Sequence, residues 1–267
     1  MINSPSLGGK VTVVFGAYGT LGAAVAQSFA VEGAEVYLSG RSLAKVEALV
    51  EAMPEAAARA HAASVDTLDD VAVNRYLEQV VRETGRVDIA IDFSGPAAKE
   101  YGNGKLATDL PIEEFLVPLT TMGRSRFITA RAAARQMVKR HQGVIIFVTG
   151  SPARGHVPGA TAIGSVFGAM ESLAENLAYE LGPLGVRVLT IRTLANVDSR
   201  SILDTVDSLA PLGISREQGL AQIAQSNFLK TTAGVQDTAN VAVFAASDRA
   251  RMLTATVVNV TAGAALD

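Results

Sequence analysis

The sequence predicts an α/β fold: a doubly wound parallel sheet of about seven strands, with helices on both faces, in one domain over residues 1–267. Three observations lead there. Short apolar runs bounded by turn residues alternate with longer segments of helical period, the pattern of βαβ units. A loop with glycines three apart follows the first apolar run. Hydrophobic residues make up 49% of the chain and aromatic ones only 5%, which suits Val- and Ile-rich buried strands under alanine-rich helices. A length of 267 residues lies within what such folds assemble around one core.

In order along the chain, strands are expected at residues 11–15, 35–39, 60–64, 87–93, 143–149, 186–191 and 257–260. Helices are expected at 22–32, 43–52, 69–84, 113–140, 162–181 and 237–246. Right-handed crossovers would lay these helices on both faces and leave ligands at the carboxyl ends of the strands. Two connections, 95–109 and 196–225, are long for mere links, and the second has room for short helices of its own. Loops of that length at strand ends serve as lids or interface pieces.

Composition removes several classes of function. A formal charge of −3 with mixed signs along the chain offers no basic stripe for nucleic-acid phosphates. There is no cysteine, hence no disulfide framework and no thiolate metal site. His61, His141 and His156 lack ligand spacing, so no metal is expected. No apolar run opens the chain, and the alanine-rich stretch 160–181 is broken by Glu171, Glu175 and Glu180. A soluble cytoplasmic protein is expected, with a small-molecule substrate and neither nucleic acid nor membrane as partner.

After the first strand comes Gly16-Ala17-Tyr18-Gly19-Thr20-Leu21-Gly22. Gly16 would permit the tight turn, Gly19 would let the backbone approach a pyrophosphate, and Gly22 would let the helix pack closely on the strand. The amino terminus of the next helix adds free N–H groups and a positive dipole end. Placed between strand and helix, the motif points to a Rossmann-type dinucleotide site. The second strand ends Tyr37-Leu38-Ser39-Gly40-Arg41-Ser42, where an NAD site would put an acid for the adenosine ribose. Gly40 is expected to leave room for a 2′-phosphate, with Arg41 pairing to it and Ser42 donating a hydrogen bond. NADP(H) is therefore the expected cofactor. Its other neighbours are expected at the ends of the third and fourth strands, Ser64, Val65, Ser94 and Gly95.

From Lys10 to Gly263 the sequence resembles the short-chain dehydrogenase/reductase family. The likeness is carried by Gly85-Arg86-Val87-Asp88 leading to Ser94-Gly95, by Tyr179-Glu180-Leu181 through Val188, and by Ala246-Ser247-Asp248 followed by Val260-Thr261-Ala262-Gly263, while the glycine loop has a spacing closer to the extended and atypical members. Departures are as informative. Thr20 stands where most members have glycine, and of the usual Asn-Asn-Ala-Gly strand ending only Gly95 remains. The resemblance implies a tetrad of Asn, Ser, Tyr and Lys. Counted back from Glu180-Leu181, the Tyr-x-x-x-Lys pair falls on Ile163 and Phe167. The helix asparagine falls on Thr121 or Met122, and the Pro-Gly turn after the sixth strand reads Thr193-Leu194-Ala195. The serine falls near Gly150 or Ser151, so Ser151 could still serve.

In the family's mechanism the tyrosine exchanges a proton with the substrate oxygen and the lysine lowers its pKa. Residues four apart share a helix face, so Ile163 and Phe167 would put an apolar patch there instead. Tyr101, Lys99, Arg154 and His156 lie in loops on the ligand side of the sheet and are the replacement candidates, with Tyr101 and Ser151 the catalytic pair read from the sequence. The spacing Gly164-x-x-x-Gly168 points to close packing against another helix. The corresponding family helix implies a homodimer or homotetramer. Three functions stay open: an NADP(H)-dependent oxidoreductase with altered acid–base groups, a non-catalytic NADP(H)-binding sensor or partner subunit, and a non-redox enzyme for elimination or cyclisation on the same fold.

Overall fold

A computed structural model describes residues 5–53, 59–155, 157–207 and 213–266. All seven strands form one sheet, and every pairing in it is parallel. They are β1 (Val11–Phe15), β2 (Glu35–Gly40), β3 (Ala60–Ser64), β4 (Ile89–Asp92), β5 (Gly143–Gly150), β6 (Val186–Thr193) and β7 (Val257–Val260). The expected positions hold, except that β4 is shorter at both ends, β2 and β5 each run one residue further and β6 two.

The spatial order is β3-β2-β1-β4-β5-β6-β7. From β1 the chain winds outward to β3, then crosses back to place β4 on the other side of β1. Their carboxyl ends diverge there into the crevice where such sheets take ligands. Backbone pairing alone sets the register, for example Phe15 beside Ser39 on one side and Asp92 on the other.

Helices pack on both faces, and the strands between the edges β3 and β7 are buried on both of their sides. Along β1, Val11, Val13 and Phe15 join one apolar cluster with Ile128, Val166 and Met170. Val14 joins the opposite cluster with Phe29, Val46 and Ala242. Strand period two is what splits alternate residues between the faces. The first cluster draws on α3 (Asp70–Thr84), α5 (Arg124–Met137) and α6 (Thr161–Leu181), and the second on α1 (Thr20–Val31), α2 (Leu43–Glu51) and α9 (Val235–Ala246). Local chemistry sets several ends. The Asp69 carboxylate accepts from the amides of Val71 and Ala72 at 2.9 and 3.0 Å to start α3, and Gly85 stops it at φ 79°.

The single helix expected over 113–140 is instead α4 (Ile112–Pro118), a π-helical turn (Leu119–Gly123) and α5. Pro118 has no N–H to continue the α pattern, and the chain widens by one residue just beyond it. The long loop 196–225 carries the expected short helices, α7 (Arg200–Asp207) and α8 (Arg216–Gln225). They pack so closely that a Cβ at Gly219 would come within 2.6 Å of Val206. Among the described residues, no helix is long and apolar enough to cross a membrane.

Under the sheet end lies a buried ion pair. Arg192 of β6 donates to Glu171 of α6 in two parallel bonds, Nε to Oε1 and Nη2 to Oε2, each 2.9 Å. The Thr149 hydroxyl donates a further bond to Oε1 at 2.9 Å. Both charged side chains are nearly inaccessible, 1% and 4% exposed. Removing one member of such a pair leaves the other charge desolvated. Glu171→Ala is expected to lower the unfolding free energy by about 3–5 kcal/mol in urea denaturation. A loss under about 1 kcal/mol would mean that Arg192 is charge-compensated without the carboxylate.

Candidate functional site

At the mouth of β1 the chain turns through Gly16 at φ 64°, a left-handed conformation that glycine adopts without strain. A side chain is excluded for a second reason. A Cβ on Gly16 would lie 2.5 Å from the Ser94 nitrogen and 2.8 Å from the Phe93 carbonyl carbon. The turn after β1 thus rests backbone to backbone on the loop after β4. Gly22 serves the other contact, since a Cβ there would meet the Gly16 oxygen at 2.7 Å. At Gly19 a Cβ would meet only the Gly16 oxygen, at 3.6 Å, and the side facing solvent is open. Gly19 is the N-cap of α1 and no side chain caps that helix. The amides of its first turn, at the exposed Thr20 and half-buried Leu21, therefore face the crevice beside a concavity that any side chain at Gly19 would occupy.

What holds the neighbouring loop is a residue the sequence reading passed over. Asp92, last in β4 and 4% exposed, accepts from the Ser94 amide at 2.7 Å. Its other oxygen meets the Arg126 guanidinium at 2.8 Å and accepts from the Thr129 hydroxyl at 3.2 Å. Arg126 is itself 4% exposed, on α5. An acid ending an apolar strand and an arginine on the buried face of a helix were the signals available. Sequence alone did not say that they meet.

At the end of β2 the structure adds a neighbour that the sequence does not name. The room foreseen over Gly40 holds the ring of Tyr18: a Cβ on Gly40 would fall 2.3 Å from Tyr18 Cε1 and 2.7 Å from Cδ1. Gly40 is glycine because an aromatic ring lies on it. The Lys45 ammonium sits 5.5 Å from the centre of that ring, within reach of a cation–π attraction. Arg41 is exposed and Ser42 half-buried, and the Ser42 hydroxyl caps none of the α2 amides. Next door, the exposed Ser64 donates to the Arg41 carbonyl at 3.3 Å, and buried Val65 gives its amide to the Gly40 carbonyl at 3.0 Å. The residues read as a dinucleotide site are thus gathered at the ends of β1 to β4. Their diphosphate half is open, and their adenosine half is covered by Tyr18.

On the far side of the crevice, Ser151 opens a short turn after β5 and is half-buried. One helical turn apart on α6, Ile163 is buried and Phe167 lays its ring edge 2.9 Å from where a Gly150 Cβ would be. Gly164 brings α6 to within 2.8 Å of the Pro152 carbonyl, measured from the same ideal Cβ, and Gly168 faces Ala153. Within the chain, the glycine spacing thus seats α6 on the short 3-10 turn 151–153. Met122 packs over Gly95, 3.4 Å from its ideal Cβ, and the Thr121 hydroxyl is turned back to the Val117 carbonyl at 2.6 Å.

Tyr101 is 7% exposed and belongs to the same apolar cluster as Ala160, Ile163 and Val166. Burial pushes its phenol up to about 12. It makes no hydrogen bond to Ser151. Its loop is tied to the loop after β5 where the Gly104 amide donates to the Gly159 carbonyl at 2.9 Å. Lys99 is exposed, Arg154 is exposed and 3.9 Å from Glu171, and His156 lies outside the described residues. From above, α7 reaches the glycine turn, its Arg200 amide donating to Thr20 Oγ1 at 3.3 Å.

Residues 16–265 match the profile of the family described as enoyl-(acyl carrier protein) reductase. The chain belongs to the short-chain dehydrogenase/reductase family. Within that family it is 30% identical to an oxidoreductase of Sarocladium schorii over 97% of both chains. It is 25% identical to the 7alpha-hydroxysteroid dehydrogenase of Escherichia coli over 98% of both. The fold is shared with the crystal structure of an NAD+-bound xylitol dehydrogenase, at a TM-score of 0.87 and 24% identity, covering 95% of this chain and 98% of that one. For a short-chain dehydrogenase/reductase, the features that sequence reasoning missed are Asp92 with Arg126, Lys45 above Tyr18, and the touch of α7 on Thr20.

Gly16→Ala combines an unfavourable φ with contact against the Ser94 backbone. It is expected to cost at least about 1–2 kcal/mol of stability, read as a lowered midpoint in thermal or urea unfolding. An unchanged midpoint would show that the turn can lift off Ser94.

Proposed function

We propose that this chain is an NADP(H)-dependent oxidoreductase whose proton-handling groups differ from the family's tyrosine and lysine. The observation that supports it most directly is the glycine turn: wedged on Ser94, uncapped at α1 and hollow at Gly19. Such a cradle fits an anionic diphosphate. Amides from Gly19 to Leu21 would hold it, with Gly16 and Gly22 shaping the turn. Arg41 and Ser42 would meet a 2′-phosphate, Ser64 and Val65 would line the adenine side, and Ser94 and Gly95 would flank the nicotinamide side. The bound dinucleotide supplies the hydride donor or acceptor.

The chain's own residues then orient the substrate and exclude water. Ile163 and Phe167 offer an apolar wall over Gly150, against which a hydrocarbon part of the substrate packs. Ser151 is placed to hydrogen-bond a substrate oxygen. A phenol raised to about 12 stays protonated at neutral pH, so Tyr101 donates a hydrogen bond but yields its proton reluctantly. The proton at the substrate oxygen is then drawn from water or from the cationic loop residues.

A second reading, a non-catalytic NADP(H)-binding sensor or partner subunit, is favoured by the Phe167 ring seated over Gly150. The two part on turnover. Mixed with NADPH and a panel of ketones, imines and enones, the purified protein is expected to consume NADPH with at least one. Binding without consumption would leave the sensor, and no binding by calorimetry would remove both. Arg41→Ala is expected to weaken NADPH about tenfold, the scale of one charge-assisted contact, with NADH little changed. Ser151→Ala is expected to lower kcat by about a hundredfold or more at constant nucleotide affinity; an unchanged kcat would remove Ser151 from the reaction.

A further inference from the structure

The adenosine end of the crevice is closed by the protein's own side chain, and the closing group is not inert. Tyr18 lies on the Cα of Gly40, with the distances given above leaving no space between ring and strand end. Lys45, in the first turn of α2, holds its ammonium 5.5 Å over the ring. Arg41, the residue after Gly40, is exposed at the same strand end. Two cations thus stand around a ring that fills the place a ribose at the end of β2 must enter.

We infer that Tyr18 is a swinging cover over the ribose pocket, displaced on nucleotide binding, and that the Lys45 ammonium it releases then pairs with the 2′-phosphate of a phosphorylated dinucleotide. It rests on the dinucleotide reading above and adds a residue to it. For any adenosine ribose to enter, the ring must leave Gly40 and give up its attraction to Lys45. A 2′-hydroxyl returns nothing to the ammonium so released. A 2′-phosphate does, because it pairs with Lys45 and with Arg41, the second in the bidentate manner a guanidinium allows. The cover therefore opposes both nucleotides equally, and the preference between them comes from the freed Lys45 together with Arg41. Because Tyr18 is half-buried and touches Gly40 without a Cβ between them, its removal leaves the sheet intact.

Calorimetric titration of the full chain with NADPH, NADH, 2′,5′-ADP and 5′-AMP tests this by binding alone. For Tyr18→Ala, the affinities for NADH and 5′-AMP are expected to rise about two- to fivefold, the range of an exposed cation–π contact. Those for NADPH and 2′,5′-ADP should rise by the same factor, so that the preference is kept. Lys45→Met should act in opposite directions on the two kinds of ligand, weakening NADPH and 2′,5′-ADP while slightly strengthening NADH and 5′-AMP. A purely structural role for either residue would lower all four affinities together. No gain for any ligand in Tyr18→Ala, or a parallel loss for every ligand in either variant, would overturn the inference while leaving the dinucleotide reading in place. Failure of the parent protein to bind any of the four would instead sink that reading.

Discussion

Everything at the ligand end of this sheet depends on one contact without side chains, the Gly16 turn lying against the Phe93–Ser94 backbone. Adjacent parallel strands are about 4.8 Å apart, so the loops that leave β1 and β4 can separate only if something spreads them. Here nothing does at the base. The turn and the loop stay in contact, and the opening begins one residue further out, at Gly19. Asp92 keeps the lower loop fixed by holding the Ser94 amide, and the buried Arg126 guanidinium holds Asp92 from the other side. The turn is thus shaped by backbone and braced from beneath by charge.

A second ion pair, Glu171 with Arg192, does comparable work on the far side of the crevice. It ties α6 to β6 one helical turn below Phe167, and α6 is in turn pressed on the 151–153 turn through Gly164. The apolar wall formed by Ile163 and Phe167 therefore stands on a rigid footing. A reaction using that wall gains positioning and dryness from it. What it does not gain there is a proton donor, and the buried phenol of Tyr101 is a poor substitute as an acid.

Much of this was legible in the sequence. Short Val- and Ile-rich runs bounded by turn residues marked the strands, and the glycine turn could be placed because it sits between a strand and a helix. Pairings between distant residues were not legible. Asp92 and Arg126 are separated by 34 positions, and nothing in either segment names the other. Gly40 was read as space for a ligand because a missing side chain looks the same in sequence whether a phosphate or a neighbouring ring fills the gap. The glycines of α6 likewise reported a close approach, and the structure adds that the 151–153 turn is what they meet within the chain.

Pro118 and the π turn behind it fix the rotational phase between α4 and α5. Each residue of an α-helix advances about 100° around the axis, so one extra residue in the turn at 119–123 sets the two helices at angles that no unbroken helix could share. Excising a single position there would rewind the segment and rotate α4 by roughly a quarter-turn or more relative to α5. Met122 would be carried off Gly95, and a floor of the crevice would vanish without any change to the residues that line it.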